Sequence, residues 1–306
     1  MPALSVNRIL KLLSEVRDRT GKSPALCLVG EGEALSDVAR ALSEGAGDTR
    51  GGLSTTFDVL PLDGFPRDPA VAGRWDVVVV VAPETAPAAA APAAAAAGAA
   101  GAQVVVYAPW AGSPAAVARL LGGGVSPSDV AVSLGRPGDP GPTLAARLAD
   151  AAGDGAPGLA ARLPFLRRAV AEDLVLKGAR QNAVIGAVVF IPGADMPAMT
   201  ANQIRMILRM AQAYDEELGF QRALEILSVV GAAFAMRTLA RQSLTYVPGF
   251  GWALKGAVGF TGTIALGRAA ITYFEAGAPL TTTRVTKLAR RFDRLKARLP
   301  GGLATG

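Results

Sequence analysis

The sequence predicts an α/β domain followed by an all-α domain: a doubly wound, mostly parallel sheet of about five strands, then a helical domain with hydrophobic hairpins. Three observations carry this prediction. Short runs that are β-branched or fully apolar recur through the first half, at 25–30, 57–62, 76–82, 103–108 and 130–134. Ala- and Leu-rich stretches of crossover-helix length separate them, at 34–44, 86–100 and 114–122. Beyond Pro157 the strand signals stop and apolar residues recur at the helical period.

Strands apolar on both faces are what a parallel sheet covered by helices on each side requires, so the five runs read as buried strands. The Ala-rich block from Ala86 to Ala102 carries no charge and could be mistaken for a membrane span. Alanine contributes little transfer energy, and Pro87 and Pro92 interrupt the block, which favours a crossover helix lying on the sheet. Gly/Pro/Asp-rich stretches at 135–142 and 153–158 punctuate the end of this region, placing an α/β domain over 1–155.

Residues 156–277 then read as helical. Leu159, Leu163, Leu166, Val170 and Leu174 keep the period, and 181–194 is uncharged for fourteen residues between Arg180 and Asp195. Ile204, Ile207, Leu208 and Ala211 share one helix face opposite Arg205, Arg209, Gln212 and Glu216. Further apolar helices are expected over 219–240 and 250–274. In the second of these, Gly259, Thr263 and Gly267 fall four residues apart, a small-residue stripe where another helix can approach closely. Two Pro-Gly breaks, Pro192-Gly193 and Pro248-Gly249, sit between segments too apolar for an ordinary surface.

The final segment, 278–306, reads as a basic amphipathic tail. Val285, Leu288, Phe292, Leu295 and Leu299 are spaced three, four, three and four apart, a heptad-like seam. Arg284, Lys287, Arg290, Arg291, Arg294, Lys296 and Arg298 flank it against Asp293 alone, which accounts for the whole net charge of +6. Basicity confined to one segment argues against a broad nucleic-acid face and for a local anionic partner.

Composition removes several chemistries. The chain has no histidine, which excludes His-based triads, the usual zinc sites and the commonest proton shuttle near neutral pH. Cys27 is the only cysteine, so no intrachain disulfide forms, and its place in an apolar strand suggests a small buried hydrophobe in a reducing interior. Residues 7–13 form an amphipathic helical pattern without the apolar core or cleavage site of a signal peptide, so export is not expected.

The sequence offers four candidate sites. The turn Gly30-Glu31-Gly32-Glu33-Ala34-Leu35 resembles a dinucleotide fingerprint, but Leu35 replaces the third glycine and two glutamates occupy the phosphate's place. Asp63 lies further along than the usual spacing of about 20 residues. A structural strand-to-helix turn is the favoured reading, with Gly30, Gly32 and Asp63 kept as the cofactor-binding candidates. A P-loop would need G-x-x-x-x-G-K-[ST] after the first strand, where this chain has Leu35, Ser36 and Asp37; Gly21-Lys22-Ser23 precedes the strand and is a decoy. The strand at 103–108 runs into Pro109-Trp110-Ala111-Gly112 and not into the Asn-Lys-x-Asp that reads guanine in small GTPases.

The third candidate, Asp195, reads as a helix N-cap with Pro197 in the first turn, and Thr200 to Gln203 fits a capping box stapled by Met199 and Ile204. The fourth is membrane contact. No uncharged run of the helical half reaches the ~18 residues of a spanning helix. The longest reading, 242–267, places Lys255 near its middle at about 2.5 to 3.5 kcal/mol on insertion scales. A buried hairpin, a partly inserted one and a true span stay open.

The segment from about Lys177 to Gly277 resembles the GTPase-associated domain of unknown function numbered 697, typified by the YcjF-like proteins. The likeness rests on Pro192-Gly193-Ala194-Asp195, Gln203 with Met206 and Ile207, Tyr214, Val247-Pro248-Gly249, and Thr261-Gly262-Thr263 with Leu266-Gly267. The resemblance implies a bacterial helical domain fused to or encoded with Era-like small GTPases, often with membrane-embedded helices and without an established catalytic residue. It also implies a GTPase-like N-terminal half that has lost its nucleotide motifs, a pseudo-GTPase.

The expectation is a non-catalytic accessory protein on the cytoplasmic face of the cell membrane, peripheral or integral, with no cofactor, no metal and no nucleic acid. Its structural motif residues would be Pro192, Gly193, Asp195, Gln203, Pro248, Gly249, Gly259, Thr263 and Gly267. Arg284, Lys287, Arg290, Arg291, Arg294 and Arg298 would meet anionic lipid or a partner. A small GTPase is an expected partner, and the tail seam offers a route to a homo-oligomer. The alternative is a divergent nucleotide- or dinucleotide-binding enzyme using the Gly30–Leu35 turn.

Overall fold

The computed structural model describes residues 10–16, 23–44, 57–122, 124–133, 140–188, 195–216 and 251–276. Pro192, Gly193, Pro248, Gly249, the helix expected over 219–240 and the tail from 278 lie outside the described residues.

Five strands form one sheet: β1 (Leu26–Val29), β2 (Asp58–Leu60), β3 (Val77–Val81), β4 (Gln103–Ala108) and β5 (Val130–Val132). Their order is β2-β1-β3-β4-β5 and every pairing is parallel. Alternate residues of β1, β3, β4 and β5 feed two separate apolar layers, as a pleated strand buried on both faces must, whereas β2, expected from its sequence to be buried, is an edge strand with Val59 exposed. Cys27, Val29, Val78, Val80, Val106 and Val132 point to one layer. That layer is closed by α3 (Pro69–Ala72), α4 (Ala91–Ala99) and α5 (Pro114–Leu121). The charge-free alanine block is therefore a crossover, a 3-10 turn at Pro87–Ala90 leading into α4, with Ala90, Ala93, Ala94 and Ala97 buried.

Leu26, Leu28, Val77, Val79, Val105 and Tyr107 point the other way. They meet α2 (Gly32–Ser43) and α6 (Gly141–Ala152), the two helices that this strand order puts on the same face. The apolar layer does not stop there. It continues without a break through α7 (Ala156–Arg162), α8 (Arg167–Val188), α9 (Asp195–Ala213) and α10 (Gly251–Glu275), as far as Ile271 and Phe274. The helical half is thus built onto one face of the sheet. The periodic run Leu159, Leu163, Leu166, Val170 and Leu174 is buried throughout, but it is divided between α7, a 3-10 turn at Pro164–Leu166 and α8.

Polar contacts fasten the two halves. Arg162 donates to the Pro24 carbonyl at 3.0 Å and Arg209 donates to the Asp154 carboxylate at 3.0 Å. Partial burial holds the Arg162 guanidinium below its ordinary pKa. A helix over residues 10–16, α1, packs Leu12, Leu13 and Val16 against Ile204 and Leu208 of α9, with Arg205 donating to Glu15 at 2.8 Å.

The capping box at Thr200 to Gln203 is corrected by the structure. The helix begins at Asp195, so Thr200 and Gln203 lie inside it, and Pro197 sits in its first turn, where its missing N–H costs no intrahelical bond. The side chain of Asp195 itself lies outside the described residues.

Candidate functional site

In a doubly wound sheet, ligands bind at the carboxyl ends of the strands where the order reverses, here between β1 and β3. Gly30 and Gly32 stand at that point. A Cβ on Gly30 would lie 2.8 Å from the Cβ of Val81, so this glycine lets the end of β1 approach β3 closely. Its N–H donates to the Leu60 carbonyl at 3.0 Å and is spent within the sheet. Gly32 opens α2 in the left-handed region, with φ +78°. Glu31 precedes it without a side-chain cap and Glu33 follows in the first turn. Carboxylates there offset the positive helix end that would otherwise attract a phosphate. Asp63 is exposed in the turn after β2.

Below this edge, burial makes the lone cysteine inert. Cys27 is fully buried, and desolvation together with the charge of Asp58 pushes its thiol up to about 12. The Trp75 indole donates to Asp58 at 2.7 Å and stacks on Phe65, while the Arg74 guanidinium covers its ring at 4.0 Å. These groups close the N-terminal end of the α3 side.

The densest polar site lies instead where α8, α9 and α10 meet. Asn182, Asn202 and Thr263 are buried. The Thr263 hydroxyl donates to the Gly259 carbonyl at 2.7 Å and accepts from the amides of Asn182 at 2.7 Å and Gln203 at 3.2 Å. Asn202 in turn donates to Asn182 Oδ1 at 2.8 Å and to the Gly178 carbonyl at 3.1 Å. One hydroxyl has one proton and two lone pairs, so Thr263 is saturated, and its three bonds link all three helices.

The glycines of the same stripe make that approach possible. A Cβ on Gly259 would lie 2.8 Å from the Asn182 carbonyl oxygen, and one on Gly267 would lie 2.3 Å from Val175 Cγ2. Gly259, Thr263 and Gly267 thus all face α8. Gln203, read from sequence as a cap, belongs to this cluster. Sequence reasoning missed Asn182 and Asn202. For Asn182 the available signal was a pair of amides, Gln181 and Asn182, opening an uncharged and otherwise apolar run; Asn202 carried no such signal.

Further along the α8–α10 seam, Arg168 holds Glu275 through two bonds at 2.9 and 3.1 Å and Glu172 through one at 3.0 Å. These carboxylates raise the pKa of Arg168. Tyr214 stacks on Phe274 at 5.2 Å, and burial with the nearby charge of Glu275 pushes its phenol up to about 12. The arrangement combines saturated amides, ion pairs and apolar contact, which is the chemistry of helix adhesion. Among the described residues no cluster of His, Cys, Asp and Glu could hold a metal ion, and no helix is long and apolar enough to cross a membrane.

No curated protein and no solved structure matches the chain. Residues 159–299 match the family model described as Domain of unknown function (DUF697). The match begins in α7 and takes in α8, α9 and α10, and with them Asn182, Asn202, Gln203, Gly259, Thr263 and Gly267. Over residues 159–299 this chain is therefore similar to the DUF697 family.

Proposed function

We propose that this protein is a non-catalytic accessory factor that works through protein contacts, beside a small GTPase, and through its basic tail at an anionic membrane surface. The observation that carries the reading is the commitment of the strand-to-helix turn to structure. The Gly30 amide is bonded to Leu60 and its side-chain space is taken by Val81, while Glu31 and Glu33 flank the start of α2. In this reading the α/β half, 1–155, is a former nucleotide domain kept as a platform, the helical domain, 156–277, is built onto it, and 278–306 is the anchor. Arg284, Lys287, Arg290, Arg291, Arg294 and Arg298 supply the anchor's charge, each worth about 1 kcal/mol near an anionic leaflet.

The test is flotation of the full-length chain with anionic liposomes at low and high salt. Binding that salt releases, and that the combined change Arg290→Ala, Arg291→Ala and Arg294→Ala weakens, is the expected result. Flotation unchanged in that variant would remove the tail from the proposal. Retention through an alkaline wash would replace a surface contact by embedded helices. Calorimetry with GTP, ATP, NAD and NADP is expected to give no saturable heat; a saturable signal would restore the divergent-enzyme alternative.

A further inference from the structure

The outer side of α8 carries a line of exposed residues at four-residue spacing: Glu172, Leu176, Arg180 and Val184. Leu176 is 38 % exposed and Val184 62 %, both large hydrophobics left in solvent. Beside this ridge, between α8 and α10, runs a groove of about 670 Å³ whose lining includes Leu176, Ile264, Arg268 and Ile271. A ridge at four-residue spacing next to a groove is the geometry of the commonest helix-packing class, in which such ridges of two helices interdigitate.

We propose that this face binds a second copy of the same chain, with the two α8 helices antiparallel about a two-fold axis at Leu176. The order of charges along the ridge selects that occupant. Glu172 and Arg180 lie about 6 Å to either side of Leu176. An antiparallel copy therefore sets Glu172 of each chain opposite Arg180 of the other, twice by symmetry, with Leu176 against Leu176 between them. Val184 then meets the aliphatic stem of Arg168. A parallel copy would set Glu172 on Glu172 and Arg180 on Arg180. A lipid surface would have to accept Glu172 within its apolar line.

The charged groups are free to make these pairs. Arg180 has no ion-pair partner among the described residues. Glu172 meets Arg168 through Oε1, which leaves Oε2 for a second guanidinium. None of these residues belongs to the tail, and the proposal does not depend on the proposed membrane role.

Sedimentation of the full chain, up to about 100 µM, tests the surface. The wild-type protein should sediment as two chains of 31.1 kDa each. Arg180→Glu and Glu172→Arg should each raise the dissociation constant about tenfold, since each breaks two symmetry-related pairs. Leu176→Glu should leave single chains. The double variant Glu172→Arg with Arg180→Glu should recover the wild-type constant to within about threefold, because the swapped charges again meet their opposites. All three positions are exposed, so folding is not at stake. A single chain for the wild type overturns the proposal, as does a double variant no better than either single one. A dimer lost on removing 278–306 but indifferent to the α8 changes would assign association to the tail and overturn it too.

Discussion

Gly267→Ala should destabilise this protein, although alanine is the better helix former. The added carbon would lie 2.3 Å from Val175 Cγ2, 2.7 Å from Cγ1 and 3.0 Å from Cβ. Ordinary carbon contacts lie near 3.5 to 4.0 Å, so α8 and α10 would have to part by roughly 1 Å. Val175 cannot swing aside. It is 4 % exposed, and a β-branched side chain in a helix has essentially one rotamer. Overpacking of this kind costs up to about 3 kcal/mol, against about 1 kcal/mol gained in helix propensity, for a net loss of about 2 kcal/mol. Gly98→Ala is the internal reference, because Gly98 lies in α4 with nothing within 4 Å of an added Cβ. The same substitution there should stabilise by about 0.5 to 1 kcal/mol. Urea unfolding followed by circular dichroism reads both, as midpoint shifts of opposite sign at unchanged slope. If Gly267→Ala is as stable as the parent, or gains like Gly98→Ala, the close approach of α8 and α10 is not what the glycine provides.

Four further outcomes follow from the buried groups. Thr263→Val keeps the shape but leaves the Gln203 amide without its acceptor and the Asn182 amide with only the Met199 carbonyl at 3.5 Å, and should cost about 2 to 3 kcal/mol, while Thr263→Ser should stay within about 1 kcal/mol of the parent; equal stability of the Val and Ser variants in urea would deny the hub its role. Tyr214→Phe removes a buried hydroxyl that has no partner among the described residues, and should be neutral or stabilising by up to about 1 kcal/mol in thermal unfolding, with a clear loss counting against the packing described. Cys27 should resist alkylation in the folded protein, since a thiol moved from 9.0 to about 12 has a thiolate fraction lower by ~1,000-fold, and full labelling without denaturant would contradict its burial. Cys27 and Tyr214 both hold their protons more tightly folded than unfolded. The stability they contribute is complete below about pH 9 and lost as pH climbs towards 12, and the double variant Cys27→Ala with Tyr214→Phe should flatten that alkaline decline.

The sequence by itself determined the elements whose signals are local. Runs such as Val77–Val81, β-branched and apolar on both faces, read as strands inside a covered sheet, and a charge-free alanine block with two early prolines reads as a crossover helix lying on that sheet. The small stripe of Gly259, Thr263 and Gly267 was legible for the same reason: helical periodicity places residues four apart on one side whatever the partner is. Tertiary structure alone decided which partners those faces meet. The strand order, and with it the pairing of α2 and α6 on one face, depends on crossovers between segments far apart in the chain. So does the continuity of the apolar layer from Leu26 to Phe274. Gln203 shows the limit most clearly. Its spacing from Thr200 fits a capping box, a motif of four neighbouring residues. Its actual bond is to Thr263, sixty residues on, and no local pattern encodes the approach of α9 to α10 that brings the two within 3.2 Å.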